Sequence, residues 1–207
     1  MDKEQSELVK KYPLLFPRAY AFIRLQILPL KLINKFIPSD GRILDVGCGY
    51  GLTTIYFAKS HKNRIMVGSE INSNRVTIAK QISKNIKNIS FEVNNLLPKN
   101  QKFDTIIAID LLHHISSAEK TTFINDCWKY LRPDGLLIIK DIDTKPFLKF
   151  IWTYIHDLIF TKFEPLDFYS STKMSFFLKC HKFRIIEQQK LKSILYPHII
   201  YICQKEK

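Results

Sequence analysis

Ile43-Leu-Asp-Val-Gly-Cys-Gly-Tyr-Gly51 runs from a short apolar stretch straight into a turn spelled D-x-G-x-G-x-G, and an amphipathic segment follows from about Leu52. Glycines let the backbone turn sharply and approach a ligand without Cβ clashes, and a helix start presents N–H groups that have no partner within the helix. A glycine loop alone is also compatible with nothing more than a tight turn. A second element is needed to decide.

That element is Glu70, which closes the next apolar run in Val67-Gly-Ser-Glu70, nineteen residues after Gly51. A carboxylate at this place accepts hydrogen bonds from both ribose hydroxyls of an adenosine. The plainer alternative is an exposed Glu opening a helix. Taken together, the loop and Glu70 point to an adenosine site. A dinucleotide fingerprint reads G-x-G-x-x-G to admit a pyrophosphate, whereas this loop reads G-x-G-x-G. Asp45, two residues before the first glycine, is placed to bind an α-amino group directly or through water. The spacing therefore favours S-adenosylmethionine.

Working outward, short β-branched runs alternate with longer amphipathic segments, the pattern of strands and helices around a parallel sheet. Strands are expected near 42–46, 64–69, 89–93, 103–109 and 136–140. The runs DTIIAI and LLIIK are almost continuously apolar, as strands covered on both faces should be. Asn72 or Ser73 caps a helix to about Lys84, and Ser116 with Glu119 spells a capping box for a helix ending before Leu131. Arg132-Pro-Asp-Gly135 reads as a turn, with Gly135 free to take a positive φ. A helical stretch from about Pro146 to Phe160, another from near Ser171, and strands at 183–188 and 198–203 complete the chain.

From about Arg42 onward the chain resembles the class I S-adenosylmethionine-dependent methyltransferases. The resemblance rests on ILDVGCGYG, the Glu70 strand end, FDTIIAIDLLHHI and LRPDGLLIIKDID. It implies an α/β fold, Rossmann-like, with a seven-stranded mostly parallel sheet flanked by helices and the last strand antiparallel. It also implies a donor-binding domain over 42–207 with a helical lid inserted at about 144–180, while the apolar N-terminal segment is read as a helical cap or flap over 1–41. Gly47 and Gly49 would line the donor, Glu70 would hold the ribose, and Asp45 and Asp110 would complete the site. Asn95 stands where the family usually has an Asp that accepts from the adenine amine. An Asn carbonyl can accept the same bond without charge. Leu96 would touch the adenine.

Ligands of such sheets sit beyond the carboxyl ends of the parallel strands. Asp110 follows the fourth strand and Asp141 the fifth. An antiparallel final strand beginning at His198 would start at the same edge, so Asp110, Asp141 and His198 should converge. Asp141, His198 and His156 are the catalytic candidates, His being a natural base near neutral pH; His113 and His114 are further candidates. The segment 147–169 is rich in aromatic residues, either core or the lining of an acceptor site. A small apolar or lipid-like acceptor, methylated at oxygen, is expected. The late elements KDID, HD and YPH are similar to a bacterial subgroup associated with lipid and aryl-polyene biosynthesis.

Two other readings compete. The formal charge of +13 invites a nucleic-acid partner. However, the charge is carried mostly by lysine in an isoleucine-rich chain, as an AT-rich genome would give, with no Arg-rich run or RNP-type motif. Ile109-Asp-Leu-Leu112 stands where base-amine methyltransferases often have N/D-P-P-Y/F. Peripheral contact with an anionic membrane remains open. The second competitor, a non-catalytic donor-binding module, is disfavoured by the intact Asp45, Gly47, Gly49 and Glu70. No metal is expected: the four cysteines are isolated, and Asp141 and Asp143 should point to opposite faces of an extended segment. With no secretory h-region in the first residues, a cytoplasmic location is expected.

Overall fold

A computed structural model describes residues 3–94, 101–160, 165–193 and 195–206. In chain order the elements are α1 (Lys3–Lys10), α2 (Leu15–Ile27), α3 (Leu30–Phe36), β1 (Gly41–Val46), α4 (Leu52–Ser60), β2 (Arg64–Glu70), α5 (Ser73–Ser83) and β3 (Ile89–Val93). There follow β4 (Phe103–Ile109), a 3-10 turn (Leu112–His114), α6 (Ser117–Tyr130), β5 (Leu131–Ile142), α7 (Phe147–Phe160), α8 (Ser171–Cys180), β6 (Phe183–Lys190) and β7 (His198–Lys205). The seven strands take the order β3-β2-β1-β4-β5-β7-β6. β1, β2 and β3 pair in parallel, and β7 runs antiparallel to both β5 and β6. This is the expected Rossmann-like sheet with an antiparallel last strand.

Local chemistry accounts for the starts of α5 and α6. The Asn72 side chain accepts from the backbone N–H groups of Asn74 and Arg75 and so starts α5. Ser116 and Glu119 form the reciprocal capping box that starts α6. One expectation fails. Arg132-Pro-Asp-Gly135 is no turn but the opening of β5. The positive φ falls on Asp134, at 61°, rather than on Gly135. Asp is among the residues that tolerate this region, so the strand runs through what looked like turn chemistry.

The chain forms two compact units, 1–105 and 106–207. The N-terminal helices belong to the first of these units and are tied into it by Arg64. Its side chain is fully buried on β2. It donates to the carbonyls of Pro38 at 2.6 Å and Ile37 at 2.7 Å, to Asn34 Oδ1 at 2.6 Å and to the Phe57 carbonyl at 3.1 Å. The guanidinium thus caps the last turn of α3, where the helix dipole favours a cation. Burial pulls its pKa down to about 10, which leaves it charged at neutral pH. In the second unit, Lys120 is also fully buried and donates to the carbonyls of Ile115 and Asp167, tying residues 165–170 to the start of α6.

Replacing Arg64 by Met should strand four acceptors, two of them buried, and cost about 3 kcal/mol, seen as a fall in Tm of about 6–12 °C. Arg64→Lys should recover only part of this, since one ammonium cannot reach all four acceptors. Thermal unfolding of the three proteins checks both; equal melting temperatures would contradict the stapling role.

Candidate functional site

Glu70 organises the first unit. Its Oε2 accepts from the Gly49 N–H and its Oε1 from the Asn72 N–H, both at 3.0 Å, and Arg75 Nη1 lies 3.8 Å away. The N–H groups of Gly47 and Cys48 donate to the Ser69 carbonyl at 2.8 and 3.1 Å. Together these bonds hold the loop in its turn, in which Gly47, Gly49 and Gly51 all have positive φ. Beside Gly49 the space a Cβ would occupy is open. Gly68 is the reverse case: an added Cβ would lie 2.5 Å from the Phe91 ring. Phe91 therefore supports the turn from below only because that position is glycine.

Asp45 is buried at the end of β1, and its Oδ2 accepts from both Thr53 and Thr54 hydroxyls at 2.7 and 2.6 Å. Burial raises its pKa to about 6 despite those two bonds. One of its oxygens therefore serves α4, a use the sequence did not reveal. The N-terminal helices reach this loop through tyrosines: Tyr12 donates to the Tyr50 carbonyl at 3.2 Å, and the Tyr20 ring meets Tyr50 edge-on at 5.5 Å. Asn95 and Leu96 lie outside the described residues.

A carboxylate has about four lone-pair sites. Glu70 spends two on backbone amides and keeps two for further donors. With the open space at Gly49, the residues present fit an adenosine carrying two ribose hydroxyls.

In the second unit the chemistry gathers around His113, which the sequence offered only as a lesser candidate. The 3-10 turn after β4 buries its ring. His113 Nδ1 makes a short hydrogen bond to Asp141 Oδ1, and Nε2 lies 3.5 Å from Asp157 Oδ2. Phe168 stacks on the ring at 4.9 Å with planes 6° apart. Burial pulls the imidazole pKa down, but the charge and hydrogen bond of Asp141, with Asp110 and Asp157, outweigh it and the net shift is upward. Asp157 Oδ1 also meets His156 Nδ1 at 3.1 Å. His156, Asp157, His113 and Asp141 thus form one alternating chain, with His156 at its more exposed end.

Other candidates take different places. Asp110, at a positive φ of 52°, pairs with the buried Lys140 at 2.5 Å. The β5–β7 register puts His198 beside Ile142, at the strand end where it was expected. Its ring stacks on Tyr196 at 5.3 Å, while Asp141 turns to His113 and the Ile142 N–H. Asp143 accepts from the Ser171 N–H and meets Lys190 at 3.1 Å. Asp141 and Asp143 diverge because β5 ends between them. Alternation is not the reason, since residues two apart on a strand share a face. Among the described residues no group of three or more His, Cys, Asp or Glu is arranged around a cation site. Asp157 carried no flag beyond its place beside His156.

Because the folded pKa of His113 is raised above 6.5, its contribution to stability is complete below that pH and is lost as pH rises through the folded value. NMR titration of the ring should give a midpoint above 6.5. His113→Phe should cost about 3 kcal/mol below pH 6.5 by leaving the buried Asp141 without its partner, and less as pH rises. A midpoint below the ordinary value would overturn this picture.

Residues 43–135 match a family model described as a methyltransferase domain. The chain is 31% identical over 105 residues to a phosphoethanolamine N-methyltransferase of Plasmodium falciparum, covering 49% of this chain and 39% of that protein. It is 29% identical over 131 residues to a ubiquinone biosynthesis O-methyltransferase of Coxiella burnetii, covering 61% and 54%. In both cases the match spans only about half or less of the relative's length. A solved SAM-dependent methyltransferase of Methanosarcina mazei superimposes with a TM-score of 0.68 at 21% identity, over 87% of this chain and 98% of that one. Over residues 43–135 the chain is thus similar to methyltransferase domains, and with its sheet order it has the Rossmann-like fold of S-adenosylmethionine-dependent methyltransferases.

Proposed function

We propose that the chain transfers a methyl group from S-adenosylmethionine to an oxygen of a small, apolar or lipid-like acceptor. The observation that carries the donor half is Glu70, which holds the glycine loop through the Gly49 amide and the start of α5 through the Asn72 amide, and keeps lone pairs for a ribose. Gly47, Gly49, Asp45 and Asp110 are assigned to the donor, whose charged groups need acceptors. Asn95 and Leu96 are assigned to the adenine.

The bound donor supplies an electrophilic methyl on a sulfonium, so the protein's task is to align the acceptor and remove its proton. His156 takes that proton at Nε2. Asp157 holds Nδ1 and stabilises the imidazolium that forms, the part a buried carboxylate plays beside a catalytic histidine. His113 and Asp141 position Asp157, and His198 with Tyr196 flanks His156, whose ring meets Tyr196 edge-on at 5.8 Å. The apolar acceptor is favoured by Phe150, Tyr154 and Phe168, whose rings lie within 6.1 Å of one another beside His113.

Calorimetry should show binding of S-adenosylmethionine and of S-adenosylhomocysteine, weakened by about 1.5–3 kcal/mol in Glu70→Ala as charge-assisted bonds are lost. Absence of heat with either ligand, or normal binding by the variant, would contradict the donor assignment. His156→Ala and Asp141→Asn should each lower turnover by about 10² while leaving donor affinity in place. Normal turnover in both would remove the acid–base assignment without touching the donor site.

A further inference from the structure

Helix α7 is amphipathic the wrong way round. Phe147, Leu148, Ile151, Trp152, Ile155 and Ile159 recur at helical spacing on one face, and that face is the exposed one. Leu148 is 83% exposed, Phe147 66%, Ile159 59% and Trp152 52%. The polar residues turn inward instead. Thr153 is 1% exposed, Lys149 donates to the Ser193 carbonyl at 2.6 Å, and Asp157 faces His113. A helix of a soluble protein ordinarily buries its apolar stripe. A continuous exposed stripe of this size marks an interaction surface.

The chemistry beside the stripe says what covers it. The first turn of α7 opens onto a cavity of about 450 Å³ lined by Lys145, Lys149, Lys190 and Lys192. One of these lysines meets a carboxylate, Lys190 at Asp143, and Lys145 and Lys192 are exposed. An apolar helix face bearing a tryptophan and flanked by lysines is the pattern of a helix lying in the plane of an anionic lipid surface. Among the described residues no helix is long and apolar enough to cross a membrane.

We propose that α7 docks the protein on anionic bilayers, its Phe147–Ile159 stripe entering the acyl boundary while the exposed Lys145, Lys190 and Lys192 hold lipid phosphates. This docking does not depend on methyl transfer and stands or falls apart from it. An acidic protein is the competing occupant, but it would be drawn by the lysines and would not need about four turns' worth of lipid-like contact from one apolar face.

The test uses the full chain with phosphatidylcholine vesicles, with and without phosphatidylglycerol, followed by sedimentation and by tryptophan emission in a Trp128→Phe background, which leaves Trp152 as reporter. The expected result is binding and a blue shift only with phosphatidylglycerol. Leu148→Glu with Ile155→Glu should abolish both, and Lys145→Glu with Lys192→Glu should weaken binding by about fivefold per lysine. Phe176→Glu, an exposed apolar position on α8, should bind as the parent does. Unchanged melting temperatures would show that the variants fold. Failure of the parent to bind phosphatidylglycerol vesicles, or equal binding by the Leu148/Ile155 variant, would overturn the proposal. So would a blue shift elicited by polyglutamate and not by vesicles, which would assign the face to an acidic protein. Protection of the lysines by inorganic phosphate without vesicle binding would assign the cavity to a soluble phosphate.

Discussion

Two backbone amides, those of Gly49 and Asn72, converge on the single carboxylate of Glu70, and the geometry of the first unit follows from that convergence. One bond holds the middle of the glycine turn, whose three positive φ values leave it otherwise poorly constrained. The other fixes Asn72, which in turn caps α5. A nearly buried carboxylate would be costly on its own, and charge-assisted bonds from amides are what make it tolerable. The same group that shapes the loop therefore stands ready, with its remaining lone pairs, for the ligand the loop is shaped to receive.

In the second unit a different constraint governs. A histidine buried between Asp141 and Asp157 must have its charges balanced internally, and Asp157 comes from α7. To deliver Asp157, α7 has to turn its polar side toward the protein, with Thr153 and Lys149 on the same side. Its apolar side is then left facing outward. The exposed stripe is thus a consequence of how the buried His–Asp chain is supplied, and the same helix links acid–base chemistry to an unusual surface.

The parts of this arrangement that were legible in the sequence are those set by local chemistry. The glycine turn, the Glu70 strand end, the Asn72 cap and the Ser116–Glu119 box all act over a few residues, so residue type and spacing determine them. The strand starting at His198 was legible in its own apolar run, and its antiparallel direction followed from the resemblance. The misread segment, Arg132 to Gly135, carries strong turn signals, but it opens β5 and Asp134 absorbs the positive φ. His113 could not be ranked above His114, because only the 3-10 turn decides which of two adjacent rings is buried. The outward stripe of α7 was hidden for a similar reason: periodicity shows that a helix has two faces and is silent on which one meets the protein. Asp141 and His198 were correctly expected at one strand end, but side-chain direction separates their partners.

The account rests on Glu70 serving the loop and the ribose at once. A crystal structure of the protein with S-adenosylhomocysteine tests this most directly. The account predicts both ribose hydroxyls donating to the Glu70 carboxylate while the Gly49 and Asn72 amides keep their bonds, with the ligand's amino-acid end against Gly47 and Asp45. A ligand bound without contact to Glu70, or one that displaces Glu70 from the glycine loop, would contradict it.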